Sequence, residues 1–224
     1  MSIVSNLELI RRVPLFSMLT DEQAQIIASA VVKQRYRKGA LIVEKGKKSN
    51  ALFIILNGRA HVVTNDSRGR EAILANLQQG DYIGEMSLID NLPHSASVRA
   101  DAQTDVLILA RAQFAKILPE NAAMTYVIMK TLVQRLRQAD RKIESLALMD
   151  VYGRVANVLL EMADVDDEHG LVIRSKVSRQ NLAKTVGASR EMVSRVMKSF
   201  EEKGYFVVRD DGSTVIRNST FALD

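Results

Sequence analysis

The sequence predicts an α+β fold in which a β-rich unit comes first, a long helix follows, and a small helical unit with a strand pair ends the chain. Three observations support this prediction. Short β-rich runs separated by turn residues fill the region from 32 to about 110. No glycine or proline interrupts the stretch from about 121 to 148. Two short amphipathic segments then flank Gly187, and a strand pair follows them.

Composition excludes several classes of protein before any motif is considered. The chain has 224 residues, 47% apolar and 25% charged, which is ordinary globular composition and enough length for two domains. The longest apolar run is 51–56, too short to cross a bilayer, and the N-terminus lacks the apolar core of a signal peptide. Without cysteine there are no disulfides, thiolate metal sites or thiol nucleophiles. We therefore expect a soluble cytoplasmic protein.

The first 110 residues are predicted to form helices and then a roll of strands. Residues 1 to about 31 have helical character, with capping-box spacing at Thr20–Gln23 and Ile26, Ile27 and Ala30 on one face. Six short strands follow between turn residues, which indicates either an antiparallel sandwich or a barrel-like, jelly-roll-like β-roll. The predicted strands are 40–43, 52–56, 60–64, 72–77, 97–100 and 106–109.

A short helix over 111–118 should end before Pro119, and a long helix should follow it. On the long helix a stripe recurs at alternating spacings of four and three, which is typical of a coiled-coil seam. We expect the seam to form a parallel homodimer, although a stripe packed on the chain's own β-roll is the alternative. The stripe begins at Ala122 and ends at Ala147, and its predicted interface residues are Tyr126, Met129, Val133, Leu136, Asp140 and Ile143.

The last part of the chain is predicted as a helix over 151–163, an acidic loop over 164–170, two helices joined at Gly187, and strands over 205–208 and 214–217. The predicted domains are therefore 1–119, 120–149 and 150–224. Positive charge is concentrated here. Residues 174–203 contain eight bases and three acids, an excess of five that equals the net charge of +5. Such a local excess favours a polyanionic partner over a merely solvated helical face.

The segment 177–206 has the chemistry of a DNA-reading helix-turn-helix followed by a winged hairpin. Gly187 can supply a left-handed turn, and Ser189 can cap the second helix. Arginine can donate to guanine and glutamate can accept from cytosine in the major groove, and Arg190 and Glu191 lie in the first turn of that helix. The alternative is that Glu191 and Arg195, four apart, form only a surface salt bridge.

Three motifs stand out along the chain: GDYIGEMSL at 80–88, LMDVYGRV at 148–155 and SREMVSR at 189–195. Together they resemble the cAMP receptor protein / fumarate-nitrate regulator (Crp/Fnr) superfamily, and the resemblance covers essentially the whole chain. It implies a cyclic-nucleotide-binding β-roll, a dimerisation helix and a winged helix-turn-helix that reads TGTGA-like half-sites of a palindrome. It also implies base reading by Arg190, Glu191 and Arg195. The other predicted DNA-binding residues are Ser178, Arg179, Gln180, Ser189 and Lys198.

The same resemblance places an effector in the β-roll, with two departures from the family. Gly80 and Gly84 allow tight turns whose N–H groups can hold an anion. The resemblance implies that the Glu85 carboxylate accepts a hydrogen bond from a ribose hydroxyl of the effector. His94 stands where the family has a phosphate-binding arginine, and it is either a weaker ligand or a surface loop residue. The predicted effector-binding residues are Gly84, Glu85, Met86, His94, Ser95, Arg135, Ala139 and Asp140.

The second departure is on the long helix, where Ala139 and Asp140 replace the family's adenine-reading hydroxyl pair. A carboxylate on the seam can accept two parallel hydrogen bonds from guanine, unless Arg137 or Arg141 neutralises it. We therefore expect a guanine-containing cyclic nucleotide, cyclic di-GMP before cGMP. A cAMP-responsive regulator and a ligand-independent one remain open.

Two rival functions are disfavoured. An enzyme is not expected, because His61, His94 and His169 have no metal-site spacing, no Gly-x-Ser-x-Gly occurs, and Leu41 breaks the phosphate-loop pattern before GKKS at 46–49. We predict no catalytic residue and no metal. A cyclic-nucleotide-binding regulatory subunit that does not bind DNA is the remote alternative.

RNA polymerase is a possible partner of residues 164–170 in this predicted bacterial regulator, and no membrane partner is expected.

Overall fold

The computed structural model describes residues 6–11, 13–117, 121–167 and 170–217. Its contacts divide the chain into two compact units, Met1–Arg135 and Leu136–Asp224. This division falls inside the long helix. The predicted domain boundaries after 119 and 149 stay predictions.

The first unit begins with helical segments, as predicted, in three pieces. Helix α1 spans Asn6–Arg11, a 3-10 turn spans Pro14–Phe16 and α2 spans Asp21–Ala30. Pro14 separates the two helices because its ring removes an N–H donor and suits only the first positions of a helical turn. The predicted capping box is present: Thr20 Oγ1 accepts from the Gln23 N–H and Gln23 Oε1 accepts from the Thr20 N–H, both at 3.2 Å.

Two antiparallel sheets of four strands each form the β-roll. The strands are β1 Val32–Tyr36, β2 Leu41–Val43, β3 Ala51–Asn57, β4 Ala60–Asn65, β5 Glu71–Leu77, β6 Tyr82–Ile83, β7 Ser97–Ala100 and β8 Thr104–Ala110. Their order is β1-β8-β3-β6 in one sheet and β2-β7-β4-β5 in the other. The jelly-roll-like expectation is confirmed.

Strand β3 explains how the roll is held together. Phe53 and Ile55 pack in the cluster between strands of the two sheets, whereas Leu52 and Ile54 pack in the cluster formed with the helices. Successive side chains of a strand point to opposite faces, so a strand buried on both sides is a continuous apolar run. This is why the longest apolar run in the chain falls here.

Three elements of this unit were not predicted. Strand β1 is an edge strand whose Lys33 and Arg35 lie 3.6 and 2.6 Å from the Asp105 carboxylate on β8, so it lacks the usual apolar alternation. Strand β6 has only two residues. Helix α3, Glu85–Asp90, lies inside the glycine-flanked segment that was read as turns.

Two further helices lead out of the roll. Helix α4 spans Arg111–Ile117, and the predicted end at Leu118 and Pro119 lies outside the described residues. Helix α5 spans Ala122–Leu148, close to the predicted limits. The Asn121 side chain caps it by accepting from the Met124 N–H at 2.8 Å.

The second unit contains three more helices and one sheet of four strands. The elements are α6 Val151–Glu161, β9 Asp164–Asp166, β10 Gly170–Ile173, α7 Arg179–Val186, α8 Arg190–Glu202, β11 Phe206–Val208 and β12 Thr214–Ile216. The strand order is β11-β12-β10-β9, and all pairs are antiparallel. The helices share one buried apolar cluster with strands β10, β11 and β12.

The prediction of an acidic loop over 164–170 is wrong. Asp164–Asp166 pairs with β10 as the edge strand of the sheet, and Asp166 forms an ion pair with Arg174 at 2.9 Å. An edge strand tolerates solvated charges, which hide it from a search for apolar alternation. Glu168 and His169 lie outside the described residues.

Candidate nucleic-acid interface and effector cavity

Helices α7 and α8 form the predicted helix-turn-helix with a cap at each start. The Ser178 hydroxyl accepts from the Asn181 N–H at 3.3 Å, and the Ser189 hydroxyl accepts from the Met192 N–H at 3.1 Å. Gly187 has a φ of 67°, and its N–H donates to the Ala183 carbonyl. A left-handed residue ends one helix sharply, so the next helix starts in a new direction after a short turn.

The apolar faces of the two helices are buried against each other and against α6. Those faces are formed by Leu182, Ala183, Val186, Val193, Val196, Met197 and Phe200, all buried. Phe200 also makes an edge contact with Tyr152 of α6, with ring centroids 5.8 Å apart. Burial on one side fixes which side of α8 faces solvent.

The solvent-facing side of α8 carries the predicted base readers. Arg190, Glu191 and Arg195 are exposed, and in the described part of the chain none of them has an ion-pair partner. The alternative salt bridge between Glu191 and Arg195 is therefore not formed. Lys198 is also exposed and lies 3.6 Å from Glu202. Ser178, Arg179 and Gln180 are exposed at the start of α7.

A cavity of about 90 Å³ lies in the first unit beside α3 and α5. Gly84 starts α3 with a φ of 96°, and a Cβ atom there would lie 2.7 Å from the Ala51 carbonyl oxygen. Only glycine fits that position without a shift of backbone. The polar residues that line the cavity are Glu85, Ser87, His94, Ser95 and Arg135, and Met86 is among the apolar ones.

Glu85 and Arg135 form an ion pair at the cavity wall. Glu85 is 2% exposed, and burial raises the pKa of its carboxyl although the Arg135 guanidinium opposes that shift. Arg135 also donates to the Tyr82 carbonyl at 2.6 Å and lies over the Tyr82 ring, 5.3 Å from its centre. The arginine is thus held by three separate contacts.

His94 is buried and not a surface loop residue, so that alternative is wrong. It is 8% exposed, and its two ring nitrogens lie 2.7 Å from Ser49 Oγ and 3.1 Å from Ser87 Oγ. Burial lowers the pKa of the imidazole, which favours the neutral ring. Two backbone hydrogen bonds, from Gly46 N–H to His94 O and from His94 N–H to Lys47 O, tie the two segments together.

The cavity brings together six of the eight predicted effector-binding residues. Gly84, Glu85, Met86, His94, Ser95 and Arg135 line it. Ala139 and Asp140 are exposed on the next turns of α5 and are not among the described lining residues. Asp140 has no ion-pair partner in the described ranges, so neither Arg137 nor Arg141 neutralises it. Ser49 and Ser87, which contact His94, are not among the residues predicted from the sequence.

Helix α5 presents an apolar stripe to solvent. Its large stripe residues Tyr126, Met129, Val133, Leu136 and Ile143 are 50 to 65% exposed. Met124 and Ile128, on the opposite face, are buried in the core of the first unit. Within the first unit, Tyr126, Met129 and Val133 do not pack on the β-roll, so that alternative is wrong for this part of the stripe.

Comparison with known proteins identifies the two domains that contain the cavity and the helix-turn-helix. The family model for the cyclic nucleotide-binding domain matches residues 33–121, and the model for the Crp-like helix-turn-helix domain matches residues 153–219. The cAMP-activated global transcriptional regulator Vfr of Pseudomonas aeruginosa is 34% identical over 190 residues, which covers 82% of this chain and 88% of Vfr. The cAMP-activated global transcriptional regulator CRP of Salmonella typhimurium is 30% identical over 200 residues, which covers 88% of this chain and 94% of CRP.

The chain belongs to the Crp/Fnr family of transcription regulators. Among solved structures, the c-di-GMP responsive global regulator CLP of Xanthomonas campestris shares the Crp/Fnr fold with a TM-score of 0.75. It is 23% identical, and the match covers 89% of this chain and 100% of CLP. At that identity the likeness supports the fold alone.

Membership in the Crp/Fnr family confirms several predictions. The chain is a DNA-binding transcription regulator with a cyclic nucleotide-binding domain, and its relatives are regulators and not enzymes.

Two further properties apply to the described residues only. Their histidines, aspartates and glutamates form no group suited to hold a metal ion. None of the helices in the described ranges combines the length and apolarity needed to span a bilayer.

Proposed function

We propose that this regulator binds palindromic duplex DNA as a dimer and reads each half-site with α8. The observation that carries the proposal is that Arg190, Glu191 and Arg195, on the first two turns of that helix, are exposed and have no ion-pair partner among the described residues. Arginine and glutamate in this position match the donor and acceptor pattern of G·C pairs in the major groove. By resemblance to the family, the half-sites are TGTGA-like.

Phosphate contacts position α8 over the bases. Arg179 and Lys198 supply charge, while Ser178, Gln180 and Ser189 supply neutral donors at the starts of the two helices. Ser189 can serve as cap and phosphate donor at once, because its oxygen accepts from Met192 while its hydrogen is free to donate.

The dimer forms along the exposed stripe of α5. A row of apolar side chains this exposed on one helix face is normally covered in the working protein, and the seam spacing fits a second copy of the same helix. The proposed interface residues are Tyr126, Met129, Val133, Leu136, Asp140 and Ile143.

The test of this proposal is the binding of designed duplexes, measured by fluorescence anisotropy at fixed salt. A duplex with two inverted TGTGA half-sites about one helical turn apart should bind far more tightly than a scrambled duplex. In a third duplex one half-site is moved by about half a helical turn. The dimer should then contact only one half-site, so the affinity should lack the contribution of the second. Equal affinity for all three would refute sequence-specific dimeric binding.

We further propose that the effector is a guanine-containing cyclic nucleotide, with cyclic di-GMP before cGMP. Support comes from Asp140, an exposed carboxylate without an ion partner among the described residues. Guanine offers N1–H and a 2-amino group side by side, which suit the two carboxylate oxygens. Two copies of Asp140 would face each other on the proposed seam. Cyclic di-GMP contains two guanines, so each guanine could donate to one of the two carboxylates.

The cavity must widen to admit such a ligand. Its 90 Å³ is below the roughly 300 Å³ at which ligand pockets commonly begin. A ligand that binds only a widened form shifts the population toward that form, which is how an effector controls a regulator. The ligand would act on the junction at 149–153, between α5 and α6.

Calorimetric titration with cAMP, cGMP and cyclic di-GMP separates the effector alternatives. Binding of a guanine nucleotide that is lost in Asp140→Ala supports the proposal. Tight cAMP binding that is unchanged in Asp140→Ala would refute the guanine proposal. The effector would then be cAMP, the activator that the names of Vfr and CRP state for those proteins. No binding by any of the three would indicate a ligand-independent regulator.

RNA polymerase is the expected protein partner of the acidic segment 164–170. Val165 on that edge strand is 80% exposed between Asp164 and Asp166. A cross-linkable residue at position 165 should capture polymerase when both proteins are on a promoter duplex.

A further inference from the structure

Among the described residues that line the effector cavity, no permanently charged cation is available for a phosphate. Cyclic nucleotides are anions, and the family model places their binding domain here. Among the described lining residues, Arg135 is the one side chain that is always charged, and it is already engaged. Backbone N–H groups near Gly84 can supply partial positive charge to a phosphate. A second full positive charge would have to come from a lining side chain that is neutral in the free protein.

Arg135 itself is a poor source of charge for the phosphate. Its departure would leave the Glu85 carboxylate unpaired while only 2% exposed, and an isolated buried charge is strongly unfavourable. It would also break the hydrogen bond to the Tyr82 carbonyl and the contact with the Tyr82 ring. Ligand binding therefore costs less free energy if Glu85, Arg135 and Tyr82 keep their mutual contacts.

His94 offers the remaining route. A neutral imidazole has one N–H and one lone pair, so one of its two serine neighbours must point its hydroxyl hydrogen at the ring. A charged imidazole donates from both nitrogens, so both hydroxyl hydrogens are released. Ser87 lines the cavity, and its freed hydrogen can then be donated to a phosphate oxygen beside the new charge.

We propose that effector binding takes up one proton, which His94 receives from the solvent, and that Ser49 is the residue that positions the ring for it. This inference rests on the proposed control by a cyclic nucleotide. Ser49 lies 2.7 Å from Nε2, on the side away from Ser87, and accepts from that nitrogen when the ring is charged. The proton goes to the ring nitrogen that was the lone-pair acceptor, and no bond of the nucleotide changes.

Ionisable groups on or next to the strands and helices that line the cavity have to be separated from His94. They are Glu44, Lys45, Lys47 and Lys48 after β2, His61 on β4, Glu71 on β5, Glu85 and Asp90 on α3, Arg99 on β7, and Arg135 on α5. Lysine and arginine stay charged between about pH 5.5 and 8. His61 lies against Asn76 and Asp101 and is not among the described lining residues. Glu85 is the one rival in the cavity, because burial raises its pKa.

Calorimetry with cyclic di-GMP, cGMP and cAMP tests the inference directly. Each titration is run at several pH values in two buffers of different ionisation enthalpy, which gives the number of protons taken up. Wild type should bind its nucleotide up to about tenfold more tightly for each unit of falling pH, with uptake of up to one proton.

Two variants at position 94 provide matched controls. His94→Gln keeps a donor and an acceptor but cannot titrate, so its affinity should be independent of pH and no proton should be taken up. His94→Arg carries a fixed charge, so it should bind tightly at pH 8 and also take up no proton. Proton uptake that persists in His94→Gln would assign the effect to another group, with Glu85 as the rival in the cavity, and would overturn the inference.

Ser49→Ala tests the positioning role, with Ser67→Ala as a control at an exposed hydroxyl in the β4–β5 turn. Loss of the Nε2 acceptor should move the rise in affinity to lower pH, whereas Ser67→Ala should match wild type. An unchanged pH profile in Ser49→Ala would refute the role of Ser49. If wild type binds a nucleotide without proton uptake, the inference about His94 is overturned but the proposed effector is not. If wild type binds none of the three nucleotides at any pH, both are overturned.

Discussion

Single exposed side chains on α8 decide what this regulator presents to DNA. Arg190, Glu191 and Arg195 make no ion pairs within the described part of the chain, so their hydrogen-bonding groups are available without breaking an intramolecular contact. Lys198 differs from them because Glu202 lies 3.6 Å away. This difference suggests a division between base reading and phosphate positioning.

Replacing Arg195 with alanine should weaken binding to the preferred palindrome by about 1–3 kcal/mol and relax the choice of one base pair in each half-site. The reason is the loss of a bidentate donor to guanine. Anisotropy with a set of duplexes changed at one position each would measure this effect.

Lys198→Ala is the matched control. It should weaken binding to all duplexes by the same factor, and it should lower the salt dependence of the binding constant by the equivalent of about one phosphate contact. If Arg195→Ala behaves in the same uniform way, Arg195 contacts phosphate and not a base.

The residues of the two candidate sites were not equally predictable from the sequence. Exposure of Arg190 and Arg195 follows from helical periodicity, because the apolar residues of α8 define its buried side. The contact of Ser49 with His94 joins positions 45 residues apart and depends on the pairing of two irregular segments. No local pattern carries such a contact.

Helix α5 has two faces with separate tasks. Met124 and Ile128 belong to the core of the first unit, while Val133 and Leu136 lie on the exposed stripe. The sequence predicted the stripe correctly, because a spacing of four and three is visible along one helix. It did not predict β1 or β9, because both are edge strands whose charged side chains mask the strand period.

Leu136→Lys should convert the protein to a monomer at micromolar concentration, since two lysines would face each other across the proposed seam. Light scattering would measure the mass. The thermal midpoint should fall as well, because the monomer lacks the stabilisation that dimerisation gives to the folded chain.

The control for this variant is Gln134→Lys, which adds the same charge at an exposed position off the stripe and should leave the dimer intact. A Leu136→Lys protein that remains fully dimeric would place the interface elsewhere.

For the molecule as a whole, the effector and DNA must influence each other equally. If a nucleotide raises the affinity for DNA by some factor, DNA raises the affinity for the nucleotide by the same factor, typically about 5–150-fold. A defined junction is needed to transmit that coupling. Here Asp150 caps α6 by accepting from the Gly153 N–H at 2.9 Å, and Arg154 donates to the Met149 carbonyl at 3.0 Å.

Asp150→Ala should therefore reduce the coupling factor toward one while each separate affinity stays near its wild-type value. Loss of the cap frays the start of α6 and lowers the stability of the second unit by about 0.5–2 kcal/mol. Asparagine caps helices as well as aspartate does, so Asp150→Asn should keep the coupling. Anisotropy with and without saturating nucleotide, paired with calorimetry with and without duplex, measures both directions. A coupling factor that is unchanged in Asp150→Ala would mean that the signal does not pass through the junction at 149–153.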